Sequence, residues 1–224
     1  MNRLGRIVAF CCILIAVTAC SVLSPQKDRS RFYLLTPAPE IAAPAPAMGI
    51  GHEVAIGVGP ISFPGYLKRP EVVTRVDSDR LELSPENRWA EPLDSNFQRV
   101  LAQDLSRALS TQRVVLFPWF GNPRLDYRVE VQVHRFDTDA EGRSELSANW
   151  LIRDGRNGDV LFVTDTTTNS SGATADANAS IGLSRALGSL SEQIAEQIET
   201  LERKRVQVSN SDERKHGDTE PPGD

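Results

Sequence analysis

Alternation of apolar and polar side chains in the middle of the chain is the feature that most restricts its fold. Two segments alternate at every second position, the period of a β-strand: Tyr127, Val129, Val131 and Val133, then Leu146, Ala148, Trp150 and Ile152. Polar residues alternate with the first four: Arg128, Glu130 and Gln132 lie between them and His134 follows. Such strands turn one face to a core and one to water. A turn with Gly and Asn at 153–159 precedes residues 160–168, which we interpret as the partner strand of a hairpin.

Two segments carry apolar residues at helical spacing and are expected to be helices. The first follows Pro92, and Ser95 with Gln98 fits a capping box at its start. Its apolar positions are Phe97, Val100, Leu101, Leu105, Ala108 and Leu109. The second covers 176–205 and has Leu183, Leu187, Leu190, Ile194, Ile198 and Leu201 three or four residues apart. We interpret it as a helix packed on the sheet, and a seam for a homo-oligomer is the alternative.

Further segments have the composition of short strands. Residues 31–35 form a first strand, and residues 54–58 form a β-rich run that we expect to end at Gly59-Pro60. Residues 72–76 and 80–83 are predicted to pair as a hairpin. Residues 114–117 have the pattern of a buried strand, which Pro118 would stop.

The N-terminus has the pattern of an export signal with a site for lipid attachment. Arg3 and Arg6 precede an apolar run at 7–19. As a helix this run would span about 20 Å, too short for a hydrocarbon core of about 30 Å, so it is typical of a signal peptide. The order Val17-Thr18-Ala19-Cys20 resembles the bacterial lipobox, which implies cleavage between Ala19 and Cys20 and acylation of Cys20. An ordinary cleaved signal peptide is the alternative.

Lipid at Cys20 would anchor the protein firmly to a membrane. In enterobacterial sorting, which this terminus resembles, Asp after the cysteine favours retention in the inner membrane. Ser21 therefore favours the outer membrane, with the domain facing the periplasm.

The composition of the mature chain excludes two classes of protein. Cleavage removes Cys11 and Cys12, so no disulfide can form and the fold must depend on an ordinary core. Loss of Arg3 and Arg6 takes the formal charge from −5 to −7. Because the sequence has no basic stripe either, a nucleic-acid partner is not expected.

No segment carries a recognisable catalytic or metal-binding pattern. The histidines are His52, His134 and His216, and none has the spacing of a zinc site. The sequence has no G-x-S-x-G elbow, and the glycines at 57–60 lack the remainder of a phosphate loop. We therefore expect a protein that is not an enzyme, with no catalytic residues, no metal and no cofactor.

These patterns divide the chain into four parts. Residues 1–19 are a lipoprotein signal peptide. Residues 20–53 hold the lipid anchor, a short strand and a linker rich in Pro and Ala. Residues 54–205 form the domain, which the strand at 31–35 joins. Residues 206–224 are charged, lack large apolar side chains and are expected to be a disordered tail.

Three landmarks after the lipobox carry a resemblance to a known family. They are FYLL at 32–35, PGYLKRPEVV at 64–73 and NRWAEPL at 87–93, in this order and spacing. Together they resemble the ABC-type transport auxiliary lipoprotein family, whose best-known branch is the PqiC (YmbA) lipoproteins. Lys68 stands where family members often have an acidic residue. The resemblance is strong to about residue 120 and mainly architectural afterwards.

The resemblance implies a fold, a set of partners and a role. The fold is α/β: a single compact domain with a mixed β-sheet and helices packed on it, here with a long C-terminal helix. The partners are an MCE-domain protein and the inner-membrane components of a transporter that moves lipids between membranes. The lipoprotein would dock the periplasmic conduit at the outer membrane. A regulator of a peptidoglycan enzyme and a lipid-anchored hydrolase are the alternatives.

The landmarks also supply the candidate interface residues Tyr66, Arg69 and Trp89, which are types enriched at binding hot spots. The alternative for NRWAEPL is a packing corner, in which Trp89 is buried beside the helix and Pro92 fixes where the helix begins. In either case Arg88 and Glu91 could pair with each other or cap exposed backbone.

Overall fold

The computed structural model of the chain describes residues 29–39, 54–170 and 179–217. Its strands are β1 Arg31–Tyr33, β2 Ile56–Ser62, β3 Glu71–Arg75, β4 Leu81–Trp89, β5 Val114–Leu116, β6 Tyr127–Asp139, β7 Ser144–Asp154 and β8 Val160–Ser170. Its helices are α1 Leu93–Ala108 and α2 Ala179–Gly217, with a 3₁₀ turn at Gly65–Leu67. The signal peptide, the cleavage site at Ala19 and Cys20, most of the linker and the last tail residues lie outside the described residues.

The eight strands form one mixed sheet that forks at β6. β7 pairs antiparallel along one edge of β6, and β8 pairs antiparallel with β7. The other edge of β6 holds two parallel strands, β2 beside its first half and β3 beside its end. β5 extends the first branch, whereas β4 and then β1 extend the second. The predicted α/β class with a mixed sheet and a long C-terminal helix is confirmed.

Both helices pack on the same face of the sheet and enclose the core. α1 contacts β2 and β5, and α2 contacts β6, β7 and β8. The alternating apolar residues predicted for β6 and β7 are all buried and belong to one core cluster with both helices. The apolar positions of α2 from Leu183 to Ile198 are buried in this same cluster. The sheet therefore occupies the helix face that the alternative assigned to a homo-oligomer seam.

Two sequence expectations about short strands are wrong. β2 does not end at Gly59-Pro60 but continues to Ser62, with a register shift against β6 between Val58 and Ile61. The irregularity accommodates Pro60, which has no N–H for the ladder. The strand expected to be buried at 114–117 is β5, which pairs with β2 alone and leaves Leu116 and Phe117 exposed.

The expected capping box of α1 is also absent. The helix begins at Leu93, and the amide of Asn96 already donates to the carbonyl of Pro92. Ser95 lies inside the first turn, where its amide donates to Asp94 Oδ1. Gln98 faces the sheet instead, and its Nε2 donates to the carbonyl oxygens of Val58 and Phe117.

The long helix extends further than its apolar pattern. It was expected to end at Arg205, but it continues to Gly217, so the first part of the predicted disordered tail is helical. The segment between these residues contains no Gly or Pro that would interrupt a helix. The apolar spacing marks only the part of a helix that touches the core.

Candidate functional site

The three landmarks, which are far apart in sequence, meet at one place in the fold. NRWAEPL contains the end of β4 and the start of α1. On one side, the amide of Trp89 donates to the carbonyl oxygen of Pro70 at 2.7 Å. On the other side, Tyr33 is the register partner of Trp89, and its carbonyl oxygen accepts from the amide of Ala90 at 2.9 Å. β4 is therefore the strand that joins the other two landmarks.

An open groove of about 430 Å³ lies between the second and third landmarks, and we name it the landmark groove. It is lined by Phe63, Leu67, Lys68, Arg69, Pro70, Trp89, Ala90, Glu91, Pro92, Leu93 and Asp94. Its floor is apolar, because Phe63, Leu67, Trp89 and Leu93 are core residues with little exposed surface. The floor is thus an outward extension of the main core.

The rim of the groove carries charges of both signs. Lys68 and Arg69 are exposed where the chain leaves the 3₁₀ turn. Glu91 and Asp94 stand where the chain passes from β4 into α1, and Arg99 forms an ion pair with Glu91. No lining residue is a His, Cys, Ser, Thr or Tyr, so the groove offers no hydroxyl, thiol or imidazole nucleophile. An apolar floor inside a charged rim is suited to holding an apolar side chain of a ligand or partner.

The structure separates the three interface residues suggested by the sequence. Trp89 belongs to the floor, only 6% exposed, and Arg69 belongs to the rim. Tyr66 is not at the groove: its hydroxyl donates to Asp137 Oδ2 at 3.1 Å, and its ring lies beside the guanidinium of Arg75. Trp89 is buried next to the start of α1, Leu93 is the buried first residue of that helix and Pro92 precedes it, as the packing-corner alternative expected.

The carboxylate of Asp137 holds the 3₁₀ turn that shapes the groove. Its side chain is completely buried and accepts from Arg75 Nη2 and Arg135 Nε, both at 2.8 Å, as well as from Tyr66. Burial and the adjacent carboxylate raise the pKa of Tyr66. Because Tyr66 and Leu67 are consecutive, this network fixes the position from which Leu67 reaches the groove floor.

Arg88 and Glu91 do not pair with each other. Arg88 lies opposite Glu71 on β3, with Nη2 3.8 Å from the carboxylate, and Glu91 pairs with Arg99 of α1. Each ion pair therefore ties NRWAEPL to a different neighbour. The pair that the sequence suggested would have tied the segment only to itself.

The first landmark continues past β1 as a strap across both helices. The amides of Leu35, Thr36 and Ala38 donate to Asn96 Oδ1, Ser184 Oγ and Asp104 Oδ1, respectively. Leu35 and Ala38 are themselves buried. Backbone donors without a sheet partner thus find acceptors on α1 and α2.

Asp104 is the carboxylate whose ionisation is most disturbed by this arrangement. It is fully buried between the helices, and burial raises its pKa to about 7 although hydrogen bonds from Ala38 and Ser191 favour its charged form. It does not line the landmark groove. Asp104 instead helps to hold the strap, because its carboxylate accepts a hydrogen bond from the amide of Ala38.

Two general findings bear on chemistry and on the membrane. Among the described residues, no group of three or more His, Cys, Asp or Glu side chains could hold a metal ion. Within the same part of the chain, no helix has both the length and the hydropathy needed to cross a membrane.

Sequence reasoning missed most of the groove. Phe63 and Leu67 were not singled out, and Lys68 was noted only as a departure from the family pattern. Asp137 sits in a segment where nothing distinguishes it from other carboxylates of the chain. The landmarks were the available signal, since two of them supply nearly all lining residues.

Comparison with known proteins identifies one family. The family described as ABC-type transport auxiliary lipoprotein component matches residues 33–195. That range contains the landmark groove and every strand from β2 to β8. Curated protein sequences include no significant match to the chain.

Solved structures include proteins whose fold is similar to that of this chain. A crystal structure of a Xanthomonas campestris protein of the DUF330 family has a TM-score of 0.60 at 16% identity, covering 79% of this chain and 99% of that one. An uncharacterised protein has a TM-score of 0.59 at 19% identity, covering 75% of this chain and 98% of that one. At these identities the similarity establishes the fold alone.

Proposed function

The chain belongs to the family of ABC-type transport auxiliary lipoprotein components, and from that premise we propose that it docks an MCE-type, PqiABC-like lipid transporter at the outer membrane. In this proposal it catalyses no reaction. Its periplasmic domain holds the far end of a conduit whose other end belongs to inner-membrane components. Its partner at the landmark groove is an MCE-domain protein.

The observation that carries the proposal is the convergence of the second and third landmarks on one groove. Trp89 and Leu93 contribute to the floor of the groove while also serving the core, so the apolar surface there is fixed in place before any partner arrives. A preformed pocket costs little ordering entropy on binding. An aromatic or aliphatic side chain of a partner, ringed by Lys68, Arg69, Glu91 and Asp94, would have the anatomy of a binding hot spot.

Lipid at Cys20, as proposed, would keep the groove near a membrane. Eleven peptide units separate Cys20 from Arg31, where the chain enters β1. Fully extended, they reach at most about 40 Å. A domain on such a tether stays close to the outer membrane and receives a conduit that comes from the inner membrane, which suits docking better than signalling across the periplasm.

Of the two alternatives, the hydrolase requires a concave site with a perturbed carboxylate or histidine. Asp104 has the perturbed pKa but is enclosed between α1 and α2 and does not line the groove, and the groove lining contains no histidine. No observation on the described residues favours a peptidoglycan enzyme as the partner, so we do not propose that role.

Co-purification of the partner from solubilised membranes tests the proposal. Ala90 is exposed on the groove lining, so Ala90→Arg fills the groove without changing the core. We expect the wild-type lipoprotein to retain an MCE-domain protein and the variant to lose most of it. Gln132→Arg adds the same side chain at an exposed site on the open sheet face and should retain the partner.

Both variants should keep the thermal midpoint of the wild type, which separates loss of binding from loss of folding. Absence of an MCE-domain protein from the wild-type preparation would refute the proposed system. Equal retention by Ala90→Arg and wild type would refute the groove as the docking site.

A further inference from the structure

A loop at the start of β6 exposes aromatic side chains that the core does not need. We name residues 117–125 the aromatic loop; it connects β5 to β6. Phe120 at its tip is 93% exposed, and Phe117 is 40% exposed. A single exposed apolar side chain is ordinary, but here Leu116, Phe117 and Phe120 are exposed within five residues of one another, and exposed apolar groups that occur together mark contact sites. The exposure therefore points to an apolar environment outside this chain.

Close packing holds the aromatic loop on the sheet, so Phe120 at its tip has a defined position. A Cβ on Gly57 would lie 2.7 Å from Leu125 Cδ1 and 2.9 Å from Trp119, and a Cβ on Gly155 would lie 2.2 Å from the Leu125 carbonyl oxygen. The two glycines thus allow close approach of the loop. The ring of Trp119 also packs edge-on against Phe117 and lies 5.1 Å from the guanidinium of Arg128.

Beside the loop is a cavity of about 720 Å³ whose charged side chains are mostly basic. Five arginines and two carboxylates line it: Arg113, Arg124, Arg128, Arg156 and Arg205, with Asp126 and Glu202. The two carboxylates neutralise part of this charge, since Asp126 pairs with Arg156 at 3.1 Å and Glu202 pairs with Arg205 at 3.2 Å, and the remaining arginines leave the lining with a positive excess. This excess of positive charge is local, because the whole chain carries a formal charge of −5.

Some of these groups have incomplete hydrogen bonding. In the cavity lining, Arg128 Nε and Arg205 Nη2 are buried and have no acceptor among the described residues, and Trp119 Nε1 in the aromatic loop lacks one as well. Guanidinium groups match phosphate oxygens in geometry and charge. A phosphate in the cavity, with small rotations of these side chains, would supply acceptors that the protein lacks.

We propose that the aromatic loop and the arginine-lined cavity form a membrane-contacting surface, with Phe120 inserted at the bilayer interface and the arginines bound to phosphates of anionic phospholipids. Aromatic rings favour the headgroup level of a bilayer, and cationic side chains beside them are attracted to anionic lipid. This surface lies beside the start of β6, where β2 pairs with that strand. The end of β3, which leads into the β3–β4 turn, lies beside the opposite end of β6. The inference rests on the lipid anchor of the proposed function but not on its partner.

A spin label at residue 120 tests this inference in the mature lipoprotein. With Cys20 acylated and Cys11 and Cys12 removed with the signal peptide, Phe120→Cys supplies the one free thiol for the label. The protein is reconstituted on vesicles of phosphatidylglycerol with phosphatidylethanolamine, and on vesicles of phosphatidylcholine. We expect the label on anionic vesicles to lose accessibility to a water-soluble relaxation agent and to gain accessibility to oxygen.

Leu83→Cys is the matched control, since Leu83 is an exposed apolar residue on β4 in the other branch of the sheet. Its label should stay accessible to water on every vesicle. Adding Arg124→Gln and Arg156→Gln to Phe120→Cys should restore water accessibility of the label, because the attraction to lipid phosphate is weakened. Both arginines are exposed, so the fold should tolerate the changes.

Each other result overturns the inference. Equal water accessibility of labels at 120 and 83 on sedimenting vesicles would refute membrane contact while leaving the proposed function standing. Equal insertion into phosphatidylcholine would refute the role of the arginines. Burial of the label only after an envelope protein is added would assign the surface to a protein partner. Failure of the protein to sediment with vesicles would refute both this surface and the anchor.

Discussion

Trp89 donates its amide to the carbonyl oxygen of Pro70 over 2.7 Å, and this bond closes the base of the landmark groove. The two residues belong to different landmarks, one at the end of β4 and one just before β3. Because the bond joins backbone atoms, the shape of the groove depends little on the charges at its rim. Changes at the rim should therefore alter binding without altering the fold.

Tyr66 and Arg69 should respond oppositely to substitution. Tyr66→Phe removes a hydrogen bond to the buried carboxylate of Asp137, so we expect the free energy of unfolding to fall by about 1–2 kcal/mol. The ring beside Arg75 remains, so partner binding should weaken less than it does in Arg69→Ala. Arg69→Ala changes an exposed side chain, so unfolding should shift by no more than about 0.5 kcal/mol while partner affinity falls about fivefold or more. Denaturant titration and a binding isotherm measure the two effects. Weakened binding by Tyr66→Phe at unchanged stability would place the interface elsewhere.

Asp104 should make stability depend on pH in an unusual direction for a carboxylate. The folded chain holds its proton up to a pKa of about 7, whereas the unfolded value is 3.8. The folded state therefore binds the extra proton between these values, and the contribution of Asp104 to stability is full below pH 3.8 and lost as pH rises through 7.

Asp104→Asn keeps the acceptor for Ala38 but cannot ionise. We expect the unfolding free energy of this variant, relative to wild type, to increase between pH 4 and pH 8. Asp94→Asn on the exposed side of the same helix serves as the control. Parallel pH profiles for wild type and Asp104→Asn would contradict the assignment.

Gly59 should not tolerate a side chain, because its φ of 112° is strained for other residues and a Cβ would lie 2.7 Å from Gln98 Nε2 and from Phe117 Cβ. We expect Gly59→Ala to lower the free energy of unfolding by about 1–3 kcal/mol. Gly65→Ala meets no atom within 4 Å and should change it by no more than about 0.5 kcal/mol. Equal denaturation midpoints for the two variants would show that the backbone at Gly59 can relax.

The spacing of apolar residues correctly predicted those strands and helices whose structure depends mainly on residues close in sequence. The alternation in β6 and β7 and the apolar spacing of α2 identified their buried faces. The errors arose where distant contacts decide. Gln98 does not cap α1, because its side chain donates to the carbonyl oxygens of Val58 in β2 and of Phe117 after β5. β5 is an edge strand because it pairs with β2 alone.

The candidate site was predictable only in part, for the same reason. The landmarks located the segments that line the groove, and Trp89 and Arg69 were named. Residue type alone could not show that Tyr66 turns toward Asp137, because that carboxylate comes from β6, far along the chain. Forking of the sheet, with β2 and β3 on one edge of β6, is likewise a property of pairing between distant segments.

Lipidation at Cys20 should determine the location of the protein. We expect Cys20→Ala to abolish acylation and to remove the protein from the outer-membrane fraction, because the tether would then lack its acyl chains. Replacing Ser21 with Asp keeps the cysteine and should move the protein to the inner membrane. Cys20→Ala protein that still fractionates with the outer membrane would contradict the anchor.

Photocrosslinking at the groove rim in living cells tests the central claim most directly. A photoreactive amino acid replaces Arg69 on the rim or, as the control, Gln132 on the open sheet face. We expect a crosslink from residue 69 to an MCE-domain protein and none to that protein from residue 132. A crosslink from residue 69 to a peptidoglycan synthase, or the same products from both positions, would contradict the claim.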